Sequence, residues 1–337
     1  METSLFPSFS KQHALSILPS SKLRKIDRIG VHGWNKDYAA FSETFAIAAL
    51  KPLCTSNSSL VLDPFLGSGT SLVAARRLGL PFVGIDLNPF SALLSRAKSA
   101  FTQNSRKVFE ILDSSIDHKL NIDPSLRDWF SKSDILYATT ISKIISDNLN
   151  RDDVLSHLLQ DNNGKYDNLL IAFVALLISA RHVARLSNVS NPVWSRIAQK
   201  GERFRRPSLR KLSRQKASAM LYDLRNLPSY TTTTFPKLYL ADARNLPLPD
   251  GCVDIIITSP PYLNRLDYVI NDLPQLLLLT LLRNIDIEYI RKSMIGTTKI
   301  VEKGSFDDRW GKTCTEILKK IISHPSKASS TYYIWNY

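Results

Sequence analysis

Apolar and polar positions alternate between two periods in the stretch 59–98. Ser59 to Leu62 is a short apolar run that stops in a glycine-rich turn, and Gly69 to Leu78 follows with helical spacing. Pro81 to Ile85 is a second apolar run, ending in Asp86, and Phe90 to Lys98 reads as another amphipathic helix. Strand, turn, helix, strand, helix is the opening of a parallel α/β sheet. Two more runs come much later: Leu238 to Leu240 leading into Ala241 and Asp242, and Val253 to Thr258 leading into Ser259-Pro260-Pro261-Tyr262. Both late runs carry chemistry-bearing residues at their C-terminal ends, where open α/β sheets place ligands.

The stretch between these halves has a different texture. Ile135 to Leu149 and Asn168 to Leu186 show long helical apolar spacing with few β-rich runs, which predicts a helical insertion from about Phe101 to Thr234. Near its end, SNVSNPVWSRI is a loop-like stretch with Trp194 in its middle. The basic tract GERFRRPSLRKLSRQK follows, with Arg203, Arg205, Arg206, Arg210, Lys211, Arg214 and Lys216 and no acid after Glu202. Thr231 to Thr234 looks like a linker back into the sheet. The expected organisation is an N-terminal extension (1–30), one half of a sheet domain (31–100), the helical insertion (101–235) and the second half (236–337).

The bulk properties narrow the class. At 337 residues and 44% hydrophobic, the chain can bury a proper core. No stretch approaches a membrane span and the N-terminus lacks the basic-then-apolar order of a secretory signal, so the cytoplasm is expected. Three scattered cysteines, Cys54, Cys252 and Cys314, suggest neither a disulfide framework nor a zinc site, and no metal is expected. A net charge of +14 favours polyanionic partners through counterion release, although a basic surface kept for solubility explains the same number.

The chemistry gathers at the strand ends. VLDPFLGSGT puts Asp63 at a strand end and Gly67 and Gly69 in the following turn, where missing Cβ atoms let a ligand approach the backbone. A purely structural turn has the same form. Asp86 ends the next strand in GIDLNP, placed to accept hydrogen bonds from ribose hydroxyls or to cap the helix after Pro89. The third piece, TSPPY, is more specific: two prolines fix an extended backbone, lack N–H donors and leave carbonyls free. Such a frame suits an exocyclic amino group, whose hydrogens must be accepted as its nitrogen turns tetrahedral and attacks. Ser259 Oγ and the Pro260 carbonyl can accept them, and Tyr262 can stack on a base turned out of a duplex. The alternative is a rigid turn with Tyr262 in the core. For the basic tract, phosphate contact competes with a solvated helix face.

DPFLGSGT, GIDLNP, ADARNLPL and TSPPY together resemble the N4-cytosine and N6-adenine DNA methyltransferases, and HGWNKDYAAFSE is similar to that family's cofactor-closing segment. The resemblance implies a Rossmann-like class I methyltransferase sheet that binds S-adenosylmethionine. It implies that Asp63, Pro64, Phe65, Gly67, Gly69 and Thr70 surround the methionine part of the cofactor, and that Asp86 with Asn88 holds the ribose. Asp242 and Ala243 are then expected near the adenine, Tyr38 and Ala40 at the closing edge, and Ser259, Pro260, Pro261 and Tyr262 at the target base. A Ser opening the tetrapeptide is more usual for cytosine N4 and an Asp for adenine N6. The implied partners are double-stranded DNA, with Trp194 and the tract's arginines at the duplex, and a cognate restriction endonuclease. The family's sheet needs three more strands after TSPPY, but about seventy-five residues remain, with one strand-like run at Thr331 to Trp335. An incomplete C-terminal part of the sheet is therefore expected: a fragment, a split-enzyme half completed by a separate polypeptide, or a degenerate relative. The rival readings are an RNA guanine-N2 methyltransferase and a non-catalytic DNA-binding remnant.

Overall fold

The computed structural model describes residues 18–35, 40–54, 56, 58–101, 104–149, 153–161, 163–186, 207–227, 236–261, 267–295 and 310–323. Among them lies one four-stranded parallel sheet: β1 (Val61–Asp63), β2 (Phe82–Asp86), β3 (Lys237–Leu240) and β4 (Ile255–Ile256), in the order β3-β2-β1-β4. Leu62 lies opposite Val83 on one side and Ile256 on the other, and Ile85 lies opposite Tyr239. The C-terminal ends of all four strands therefore open on one side. β4 is shorter than the apolar run 253–258 predicts. Its last ladder bond runs from Ile257 N to Leu62 O (3.1 Å), and Pro260 and Pro261 then supply no N–H to continue it.

Turn chemistry sets the first helices. After α1 (Glu43–Leu50), which is capped by Ser42, α2 (Thr70–Leu78) starts behind Gly69 at φ 81° and stops at Gly79 at φ 68°. α3 (Pro89–Lys98) has proline at its first position, where no N–H is needed, and Asn88 Oδ1 accepts Phe90 N at 3.0 Å.

The helices of the 101–235 stretch are α4 (Ser105–Leu112), α5 (Lys132–Leu149), α6 (Val154–Leu159), α7 (Asp167–Val183) and α8 (Leu209–Arg225). α7 is apolar on every side, and Leu170 through Ala180 are buried without a break. A helix of that kind belongs in a core. It packs against α3, α4, α5 and α8 and against α10 (Leu273–Leu279), so the helical block shares one continuous core with the helices flanking the sheet. Each fully buried Leu or Phe there contributes roughly 1.5–3 kcal/mol.

After β4 come α9 (Tyr268–Asn271), α10, α11 (Ile287–Ser293) and α12 (Lys312–Ser323). The strand expected at 331–335 lies outside the described residues. No described helix is long and apolar enough to cross a membrane.

Candidate active site

The turn after β1 and the end of β2 are built as one unit. Gly67, at φ 52°, donates its N–H to Asp86 Oδ2 at 2.7 Å, and Asn88 N donates to Asp86 Oδ1 at 2.8 Å. Leu66 N reaches Ile85 O at 2.9 Å, locking the turn against the strand. Asp86 keeps part of its surface on the cleft described below. Burial pushes its carboxyl up to about 6, the neighbouring Asp63 charge adds to this, and the N–H donors of Asn88, Gly67 and Leu87 hold it down.

Asp63 sits behind this turn, 1% exposed and absent from the cleft surface. Its Oδ1 accepts from Phe65 N (3.0 Å) and Thr258 Oγ1 (2.8 Å), and its Oδ2 accepts from Ser71 Oγ (2.5 Å). Burial raises its carboxyl, and the two hydroxyls and the N–H oppose that rise.

In front of the turn is a cleft of about 1120 Å³, open solvent at its mouth included. Ala40, Pro64, Phe65, Gly67, Asp86, Asn88, Asp242, Ala243, Ser259 and Pro261 line it, so residues expected at the cofactor and at the target base face one space. Gly69, Thr70 and Pro260 do not reach the lining, and Thr70 is buried at the start of α2. Tyr38 and Tyr262 lie outside the described residues.

The remaining wall includes Asn35, Ser68 and Leu87, which stand inside the motifs without an assigned role, and residues that no motif announces: Ser91 and Leu94, then Asp267, Tyr268, Asn271, Asp272, Ser293, Met294 and Ile295. Two hydrogen bonds join this wall to the strand ends. Asn88 Nδ2 donates to Asp272 Oδ2 at 2.9 Å, and Arg244, which holds Asp242 with Nη2 at 2.6 Å, also donates to Ser293 O at 3.0 Å. Asp267 caps α9 and takes Arg291 Nε at 2.6 Å. The only available hints are N-cap aspartates ahead of apolar runs, in DYVINDLPQ.

The basic tract divides. Trp194, Arg203, Arg205 and Arg206 lie outside the described residues. Ser208 caps α8 through Lys211 N at 3.2 Å. Arg210 and Arg214 then reach across from that helix toward α4 and α5, Arg214 remaining exposed. Arg210 bonds the carbonyls of Asp113 and Ser114 and lies over the Tyr137 ring at 5.8 Å, while Arg214 pairs with the Asp113 carboxylate over the Phe109 ring at 5.4 Å. These contacts fasten α8 to α4 and α5. Lys211 is exposed.

The family model described as DNA methylase, for the N6- and N4-acting enzymes, matches residues 35–96, which hold the glycine turn and Asp86. The chain is 26% identical over 265 residues to the type II methyltransferase M.BsoBI of Geobacillus stearothermophilus, covering 71% of this chain and 50% of that protein. It is 29% identical over 224 residues to the type II methyltransferase M.MvaI of Kocuria varians, covering 59% and 45%. A segment of 39 residues is 44% identical to the type II methyltransferase M.MjaII of Methanocaldococcus jannaschii, 12% of this chain and 7% of the relative. The chain spans about half the length of the first two relatives. No solved structure matches significantly. These matches bear out the resemblance to the amino-group DNA methyltransferases, a family whose methyl donor is S-adenosylmethionine.

The donor set of the cleft fits that molecule. Its described lining holds four carboxylates, Asp86, Asp242, Asp267 and Asp272, and no Lys, Arg or His, in a chain of net charge +14. A sulfonium with an ammonium on its amino-acid end is a cation suited to such walls. Phe65, Leu87, Leu94, Ala243, Met294 and Ile295 add apolar surface for a flat ring.

Proposed function

We propose that this chain is the cofactor-binding and target-base portion of a site-specific DNA methyltransferase of the amino-group type, acting on a base turned out of the duplex, with cytosine N4 favoured over adenine N6. The observation that carries this reading is the single cleft shared by Phe65, Gly67, Asp86 and Asp242 from the cofactor motifs and Ser259 and Pro261 from the target-base motif. Bound there, S-adenosylmethionine supplies an electrophilic methyl group on sulfur. Asp86 accepts from the ribose hydroxyls, with Asn88 setting the angle of the strand end. Asp242 and Ala243 hold the adenine side, and Ala40 with Tyr38 closes the edge. Phe65, Pro64 and Gly67 lie along the methionine side.

At the target base, Ser259 Oγ on the cleft wall accepts a hydrogen of the amino group, which favours a tetrahedral nitrogen with its lone pair free; the Pro260 carbonyl, outside that wall, is left for the hydrogen that points to the rim. Tyr262 stacks on the extruded base. The serine that opens the tetrapeptide supports cytosine N4. The type II methyltransferase relatives support a restriction-modification setting with a cognate endonuclease, and double-stranded DNA as the substrate. Trp194, Arg203, Arg205, Arg206 and Lys211 are assigned to that duplex.

The test is calorimetric titration with S-adenosylmethionine, followed by transfer of tritiated methyl groups to unmodified duplex DNA and chromatography of the hydrolysed nucleosides. N4-methylcytosine is the expected product. N6-methyladenine reverses the base assignment alone, whereas a chain that binds no cofactor loses the whole reading.

A further inference from the structure

β1 and β4 run side by side and then part, β1 into the glycine turn and β4 into the prolines. Their backbone ladder ends at Ile257 N to Leu62 O. One residue further along each strand, a side-chain bond takes over where the backbone bond is missing: Thr258 Oγ1 donates to Asp63 Oδ1 at 2.8 Å. Beyond it Pro260 and Pro261 have no N–H with which to make another tie. Thr258 is bonded directly to Ser259, which faces the cleft.

We infer that Asp63 is a positioning residue for the target-base tetrapeptide, acting through Thr258, and does not itself hold the cofactor. Its place behind the cleft wall, its burial and its three donors, Phe65 N, Ser71 Oγ and Thr258 Oγ1, all fit this role. One carboxylate bonds the first turn of the cofactor loop through Phe65, the start of α2 through Ser71 and the residue before Ser259 through Thr258. It thereby fixes the distance between the loop that carries the methyl donor and the residue that receives the amino group. Misplacement of about 1 Å at such a junction costs on the order of a hundredfold in rate. A part-buried side-chain bond of this kind orients without touching the reacting atoms.

This assignment rests on the methyltransferase reading, so the parent chain is measured first. Thr258→Val keeps the shape and removes the hydroxyl; Thr258→Ser keeps the hydroxyl. The expected result for Thr258→Val is a dissociation constant for S-adenosylhomocysteine within about twofold of the parent and an unchanged cofactor KM. Its kcat for methyl transfer should fall at least about tenfold, and Thr258→Ser should recover most of that loss. A Thr258→Val chain that transfers as fast as an active parent overturns the positioning role alone. Cofactor affinity falling in step with transfer also overturns it, because Asp63 would then serve the cofactor site. A parent that transfers no methyl group ends this assignment together with the reading beneath it.

Discussion

Arg96 of α3 and Asp167 of α7 face each other at 2.8 Å, and neither side chain has more than 1% of its surface exposed. Arg96 also donates to Asp161 O at 2.8 Å, and Phe101 N reaches the other oxygen of Asp167 at 2.6 Å. The pair joins the helix after Asp86 to the most deeply buried helix of the molecule. Removing one partner leaves the other charged and dry, at a cost of about 3–5 kcal/mol, while replacing both with apolar residues costs far less. Urea unfolding of Arg96→Met, Asp167→Leu and the double variant should therefore show the double variant more stable than either single one. Additive losses would mean that the pair is worth its contacts alone.

Asp86 gives the cleft a pH dependence with two opposite signs. Its folded carboxyl, at about 6, lies above its ordinary 3.8, so the folded state keeps a proton that the unfolded state releases in that window. Stability from this group is present below 3.8 and falls as pH rises toward 6. Whatever Asp86→Asn costs by replacing one of its two accepting oxygens with a donor, its melting temperature should rise relative to the parent's between pH 3.5 and pH 7.5. Cofactor affinity runs the other way, because the ionised form accepts ribose hydroxyls: parent affinity should weaken as pH drops through about 6. A flat binding profile would remove Asp86 from the ribose.

Gly69 is constrained twice. Its φ of 81° is a left-handed conformation, and a Cβ there would stand 2.7 Å from Ser95 Oγ, which itself donates to Gly67 O at 2.8 Å. Gly69→Ala should lose about 1–2 kcal/mol from conformation alone. The clash with Ser95 adds to that, and cofactor affinity should fall because the Ser95 tie to Gly67 is displaced. Adding Ser95→Ala should recover little of the loss, as read by thermal unfolding, because the Ser95 Cβ would still stand 2.9 Å away; full recovery would mean that the backbone adapts.

On α8, Arg214 and Lys211 should separate by assay. Arg214→Ala removes an exposed pair with Asp113 and a ring contact, so it should cost a little stability and leave the slope of log affinity against log salt for duplex DNA unchanged. Lys211→Ala should leave stability alone and flatten that slope by roughly one unit. The reverse pattern would place DNA on the inward face of the helix.

The residues that could be read from the sequence are those whose role is local. Asp63, Gly67, Asp86, Asp242 and Ser259 stand at strand ends, and a strand followed by a turn announces its own end. The helices expected from 135 and 168 appear as Lys132–Leu149 and Asp167–Val183; the first starts early behind Ser131, whose Oγ accepts from Asp134 N at 3.2 Å, a cap that periodicity does not see. What stayed hidden was assembled by packing. Asp267, Asn271 and Asp272 reach the cleft because α10 docks on α7, and Arg96, in a helix of amphipathic spacing, is buried because α7 covers it. The motif gives Asp63 its place at a strand end but not the direction of its carboxylate, which lies off the cleft lining and meets Thr258.

Four aspartates line the cleft of a chain carrying fourteen surplus positive charges; Asp242 and Asp267 are ion-paired with Arg244 and Arg291, and the described lining itself adds no Lys, Arg or His. On the proposed reading, the outer surface draws the phosphate backbone while the cleft repels it, so the sugar-phosphate strand stays at the rim and only an uncharged base enters. The same walls favour the sulfonium donor over the neutral thioether left after transfer. Discharge of the donor then weakens its own hold, and raising the salt concentration should narrow the gap in affinity between the two.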